Sequence, residues 1–170
     1  MSAKVDIKVV GVKDAINNLK KIDPELQKEF KAQANEVAKP AIDAAKAAYQ
    51  PLSNDSHPYA LSGMARKWTD KNGRKIFPFK LDRAIKGVQL KFDTRKKAIG
   101  VIMILQKDVA TAVWETAGRK QSNSLGRSLG FVAQDQTRIL KPAVEKSMPQ
   151  VEKEMAQVVK EALRTVQREF

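Results

Sequence analysis

The sequence predicts an α+β fold: a small antiparallel sheet packed by a long N-terminal helix and a C-terminal helix. Three observations carry this. Lys4 to Val10 and Val88 to Asp93 alternate apolar and polar side chains, and Ile99, Val101, Met103 and Leu105 recur at the same spacing of two, the period of strands. From Leu26 to Ala48, apolar residues recur every three or four positions, the period of a helix. Val151, Met155, Val158, Ala162, Val166 and Phe170 repeat that spacing to the end of the chain. The 170 residues show no internal repeat and no dividing linker, so a single domain over 1–170 is expected.

In the first strand, Val5, Ile7 and Val9 face one way and Lys4, Asp6 and Lys8 the other. Gly11 ends it, and Asp14 to Leu19 suits a helical turn or two with Ile16 and Leu19 inward. Asp23-Pro24-Glu25 is a helix start: the Asp side chain accepts from the first free amides, and Pro is preset for the first helical position. Leu26, Phe30, Ala34, Val37, Ala41, Ala44 and Ala48 then form one stripe, Ala-rich after residue 37, where a neighbour can approach closely. Pro40 should kink this helix or remove one bond, and Pro51 closes it.

Residues 52–80 are polar, glycine-bearing and irregular, a length typical of a functional or disordered loop. Leu61, Met64 and Trp68 keep helical spacing within it, and Asp70 to Gly73 suits a tight turn. The hairpin that follows has a basic tip at Thr94-Arg95-Lys96-Lys97. Ile99, Val101, Met103 and Leu105 recur at every second position of its second strand. Ile102 and Ile104 make the other face apolar too, which implies a central strand or one covered by a partner subunit. Asp108 to Glu115 suits a short helix with Val109, Ala112 and Val113 inward, stopped by Gly118. Gln121 to Gly130 reads as a second long loop within 119–130, flexible by composition, and Phe131-Val132 suits a short strand. The last helical part starts near Asp135 or Ile139, with a break or fresh start at Ser147-Met148-Pro149.

Composition narrows the chemistry. Cys is absent and His57 stands alone, so thiolate or histidine metal sites and His-based triads are not expected. No phosphate-binding glycine loop and no nucleophile elbow is present. No apolar run approaches the ~20 residues of a membrane span, and Met1 to Asp6 is not an apolar leader. Synthesis in the cytoplasm, with no cofactor and no membrane partner, is the expectation. Burial beside Trp114 would raise the Glu115 carboxyl pKa toward that of a general acid, but no second acid or His joins it. A capping or ion-pairing Glu115 is favoured over a general acid, and packing or interface roles for Trp68 and Trp114 over base stacking.

Net charge is +13, and residues 60–107 hold thirteen Lys and Arg against three acids. Such a block attracts polyanions or an acidic protein surface, or else serves as a solvated face. Helix-turn-helix, zinc-finger and aromatic-sheet signatures are missing, so sequence-specific nucleic-acid binding is not expected.

Taken in order, the elements resemble the neck or tail-completion proteins of long-tailed bacteriophages, the morphogenesis proteins that join the DNA-filled head to the tail. That family opens with a short strand bearing Gly-Leu/Val and a helix with a Leu-x-x-Leu/Ile start. Val9-Val10-Gly11-Val12 with Ile16, Leu19 and Ile22 corresponds. A long Ala-rich helix ending at Pro follows, as in Leu26 to Pro51. A Thr-Gly-x-Leu-x-x-Ser-Ile element then leads into a strand pair. Phe79-Lys80-Leu81-Asp82-Arg83-Ala84-Ile85 and Leu61-Ser62-Gly63-Met64 both match it. An aromatic helix ending in Glu-x-Gly-Thr corresponds to Val113-Trp114-Glu115-Thr116-Ala117-Gly118. Pro-Phe-Leu-x-Pro-Ala corresponds to Arg138-Ile139-Leu140-Lys141-Pro142-Ala143. The chain departs by an extra residue before Gly118, by the missing Thr after it and by the missing first Pro.

The resemblance implies a structural virion protein of the siphovirus neck, made in the host cytoplasm and without enzymatic activity. It implies a homo-oligomeric ring in the assembled neck, touching the connector, stopper, terminator or tail tube and the DNA passing through the channel. Trp114 and Glu115 are the expected subunit contacts. The loops 52–80 and 119–130, with Trp68, Arg95, Lys96, Lys97, Arg119 and Lys120, are the expected docking surfaces. Lys71, Arg74, Lys75, Lys80, Arg83, Lys86 and Lys91 are the expected contacts to DNA or an acidic surface. The alternative is a non-specific DNA-binding protein using the basic 66–97 segment.

Overall fold

The computed structural model describes residues 3–52, 68–69, 71–73, 75–77, 79–95, 101–121 and 124–169; for 68–69, 75–77, 124, 125 and 128 only the backbone is described. The fold is α+β. Strand β1 (Lys4–Ile7) leads into α1 (Val12–Ile22) and the long α2 (Pro24–Tyr49). A two-stranded pair, β2 (Trp68–Thr69) and β3 (Lys75–Phe77), precedes α3 (Leu81–Gly87) and the hairpin β4 (Val88–Phe92) and β5 (Ile102–Gln106). Then come α4 (Val109–Thr116), α5 (Ser124–Leu129), α6 (Leu140–Glu145) and α7 (Met148–Glu169). No described helix is long and apolar enough to cross a membrane.

The main sheet has the order β1-β5-β4, with both pairings antiparallel. The doubly apolar β5 is thus the central strand. Ile104 stands between Val5 and Leu90, and Ile102 between Ile7 and Phe92. That pairing sets which of the two apolar faces turns inward. Ile102 and Ile104 are fully buried on the core face, whereas Met103 pairs with Asp6 and Lys91 on the other. Parity is set by the flanking strands, because paired residues share a face.

Helix α2 starts as its residues dictate: Asp23 Oδ1 accepts from the Glu25 amide at 2.8 Å, and Pro24 occupies the first turn. Its buried line is Phe30, Ala34, Ala38, Ala41, Ala45 and Tyr49. The expected stripe was displaced by one position at Val37, Ala44 and Ala48, which are half-buried. In an Ala-rich segment neighbouring faces look alike, and here Tyr49 decides which one turns inward. Pro40 is exposed and the helix continues through it, lacking only the bond its nitrogen cannot donate. Small side chains let α1, α6 and α7 pack closely on α2, while Phe30 meets Phe92 of β4 with ring centroids 6.4 Å apart.

Strand β1 stops at Ile7, short of the expected Val10. The Val9 amide turns back to the Ile7 carbonyl at 3.1 Å, and the Lys8 amide bonds Glu152 of α7 at 3.1 Å. Leu61 and Met64 lie outside the described residues. Trp68, expected on a helix with them, is in β2, where its backbone pairs with Phe77. Of the turn expected at Asp70 to Gly73, residues 71–73 turn between the two strands, with Gly73 at φ 75°, and Asp70 lies outside the described residues. The 119–130 stretch contains the short α5, and Phe131-Val132 is not a strand. The fresh start at Met148 is present, and α7 buries Val151, Met155, Val159, Ala162 and Val166.

The buried line on α2 can be checked by volume. Ala41→Leu is expected to cost about 1–3 kcal/mol by overpacking, and Ala44→Leu under about 1 kcal/mol, both read from urea unfolding. Equal costs would mean the stripe lies elsewhere.

Candidate functional site

The stretch Thr111–Gly118 and the stretch Arg138–Ala143 lie against each other. Helix α4 is fixed at its start by Asp108, whose Oδ2 accepts from the Thr111 amide at 3.0 Å and hydroxyl at 2.7 Å. The other oxygen of Asp108 meets Arg83 of α3 at 3.4 Å. Gln106 ties the same region together: its Nε2 donates to Ala84 O at 2.9 Å and its Oε1 accepts from the Asp108 amide at 2.9 Å. A Cβ at Gly87 would stand 1.8 Å from that Oε1 and displace the Gln106 side chain, so glycine at the end of α3 leaves these bonds intact.

So anchored, α4 turns Ala110, Thr111, Trp114 and Glu115 inward. This reverses the expected face: Val109 and Val113 are exposed, at 53% and 36%. The Asp108 cap sets the rotation of the helix, and the polar Thr111 and Glu115 follow Trp114 inside because each finds hydrogen-bond partners there.

Glu115 is 0% exposed. Its Oε2 accepts from the Ile139 amide at 2.8 Å, and its Oε1 from the Leu140 amide at 3.0 Å. The Tyr49 hydroxyl, at the buried end of α2, donates to the same Oε1. Thr137 Oγ1 accepts from the Lys141 amide at 2.7 Å, so three successive amides at the start of α6 are satisfied from outside the helix. Burial pushes the Glu115 carboxyl above its ordinary value, against the lowering pull of Tyr49 and of the Ile139, Leu140 and Arg138 amides. Burial likewise raises the Tyr49 hydroxyl, with the Glu115 charge adding to it.

Arg138 closes the corner from the other side. Its Nε donates to Trp114 O at 3.0 Å, and its Nη2 to Ala117 O at 2.6 Å and Gly130 O at 3.0 Å. Its guanidinium lies 5.9 Å from the Trp114 ring centroid, within cation–π range. Gly118, at φ 93°, lets the chain pass against Gly130: a Cβ there would stand 2.0 Å from Gly130 O. Arg119 Nη2 donates to Gln136 O.

Trp114 and Glu115 are therefore internal. Trp114 is 3% exposed and Glu115 is sealed, so neither side chain is presented to a neighbouring subunit as expected. The capping role weighed for Glu115 is the one it has, exercised on α6. Tyr49, Gln106, Asp108 and Arg138 complete the cluster and were not singled out by sequence as its members. The nearest signals were the large Tyr49 ending an alanine stripe and Arg138 heading the second stretch.

The basic residues divide. Arg95 is held by Asp93, with Nε at 2.8 and 3.1 Å from the two carboxylate oxygens and Nη2 at 2.5 Å from Oδ2. These hydrogen bonds pull the Asp93 carboxyl down to about 2. Lys13 Nζ adds a bond to Arg95 O at 3.0 Å. Arg83 is half-buried against Asp108 and Arg119 is half-buried, while Lys71, Lys80, Lys86, Lys91 and Lys120 are exposed. Arg74, Lys96 and Lys97 lie outside the described residues, as do the side chains of Trp68 and Lys75. Among the described residues no three His, Cys, Asp or Glu side chains converge as metal ligands.

No protein-family profile, no curated protein and no solved structure matches this chain.

Two measurements address the cluster. Glu115→Ala is expected to cost about 3 kcal/mol or more, because three buried donors lose their acceptor at about 1–3 kcal/mol each; Glu115→Gln keeps one acceptor and should cost less. The folded chain binds the Glu115 proton more tightly than the unfolded chain does. This contribution to stability is full below the ordinary carboxyl value and is lost as pH rises through the raised one. Urea titrations from about pH 4 to about pH 8 should show this decline, and Glu115→Gln should abolish it. At the hairpin, carbon-13 NMR should place the Asp93 midpoint near 2, and Arg95→Ala should return it to the ordinary aspartate range.

Proposed function

We propose that this protein is a structural component of a long-tailed phage neck, joining head to tail by ring assembly and docking. The observation that carries the reading is the pairing of Trp114–Gly118 with Arg138–Ala143. These two late stretches of the resemblance are twenty residues apart in sequence, yet they form one unit through Glu115 and Arg138. The order strand, Gly turn, helix, Ala-rich helix, strand pair, aromatic helix and terminal helix accords with the same reading. So does Glu115, whose two oxygens already receive three donors. A subunit that acts by shape needs a corner that holds its loops in place.

A second reading, non-specific DNA binding, draws on Lys80, Lys86 and Lys91. They are exposed along α3 and β4, which follow one another without a break. Its signature is a gel shift at physiological salt with a steep salt slope.

In a phage that carries this gene, a nonsense mutation is expected to leave DNA-filled heads and unattached tails under electron microscopy. Plasmid-borne wild-type protein should restore joining. Fully tailed, infectious particles lacking the protein would overturn the proposal.

A further inference from the structure

Residues 8–11 leave the sheet and pass alongside α7. Gly11, at φ 85°, turns the chain so closely that a Cβ would stand 3.1 Å from Leu163 and 3.6 Å from Val159. Between this passage and α7 runs an open groove of about 530 Å³. Val9, Val10, Ala156, Val159 and Leu163 supply its apolar lining. Val10 is 95% exposed, the most exposed of the large apolar side chains described. Lys8, Lys160 and Arg164 line the same groove, and no carboxylate does. None of these three cations is ion-paired to another described residue.

The geometry points to this groove as a docking site for an acidic amphipathic helix of a partner protein, with an apolar stripe on the groove lining and carboxylates on its three cations. Charge complementarity selects that occupant. The groove presents three cations and no carboxylate, so an acidic occupant is favoured there over a basic or neutral one. A small ligand needs most of its surface enclosed, which an open groove does not provide. Ala156 to Gln167 spans roughly 16 Å of helix, a length that three turns of a partner helix cover. Apolar anchors at helical spacing laid into such a groove are a common mode of peptide recognition. The site shares no residue with the Glu115 cluster or with the basic 66–97 segment, so it goes beyond the joining role and does not depend on it.

The probe is a fluorescein-labelled synthetic helix of about five turns with a leucine stripe flanked by glutamates, titrated by anisotropy against the intact protein at physiological salt. Saturable binding is expected. Lys160→Glu with Arg164→Glu should weaken it about tenfold or more, a loss of about 1.4 kcal/mol. Val10→Asp should weaken it comparably, and the exposure of Val10 makes that substitution safe for folding. Lys20→Glu with Lys39→Glu, both exposed on α1 and α2, changes net charge equally but outside the groove, and should leave affinity within about threefold. Peptides with serine for leucine, or lysine for glutamate, should not bind. The inference is overturned by equal losses from the groove and control pairs, by binding of the serine or lysine peptide, or by failure of the acidic peptide to bind. Binding to phosphatidylserine vesicles in preference to the peptide would likewise overturn it, in favour of a membrane surface.

Discussion

A carboxyl group with no solvent exposure sits where three parts of the chain meet, and the packing of those parts depends on how it is satisfied. Glu115 belongs to α4, Tyr49 ends α2, and Ile139 and Leu140 open α6. Each brings a donor that would otherwise be buried without a partner. An unpaired amide in a protein interior costs about 1–3 kcal/mol, so each donor holds its segment to the common acceptor. Thr137 and Arg138 extend the cluster to the carbonyls of Trp114, Ala117 and Gly130. Directed bonds thus take over where aliphatic packing gives out, at the end of the core where the chain turns sharply at Gly118.

Arginine and lysine are used differently in this strongly basic chain. Arg83, Arg95, Arg119 and Arg138 all have fixed partners, a carboxylate or carbonyls. A planar guanidinium presents several donors in a rigid fork and loses less freedom per bond. Lys80, Lys86, Lys91 and Lys160 are left at the surface. Among the exposed cations, two groups differ in character. One runs along α3 and β4 without an apolar floor. The other borders the apolar groove beside α7, where charge and hydrophobic surface combine.

Much of the framework was legible because single elements announce themselves locally. Asp23-Pro24 marks a helix start whatever surrounds it, and two adjacent apolar faces on Ile102 to Leu105 mark a strand flanked on both sides. The faces were harder. On α4, apolar periodicity favoured Val109 and Val113, yet Thr111 and Glu115 turn inward because their partners come from segments far away in sequence. On α2, alanines at 41, 44, 45, 47 and 48 leave several faces equivalent until Tyr49 meets Glu115. Within β5, inward parity belongs to the pairing with Val5 and Leu90 rather than to the strand's own pattern.

The sequence by itself determined the fold class, the order of β1, α1, α2, the β4–β5 hairpin, α4 and α7, the Asp23-Pro24 start of α2 and the excess of positive charge, since these follow from local propensity, periodicity and composition. Only the tertiary structure decided that Trp114 and Glu115 face inward, that Arg95 is bound to Asp93, and that Val10 and α7 border an open groove. Those outcomes depend on which distant donors and acceptors come within about 3 Å of one another. Spacing along a chain carries no record of such distances.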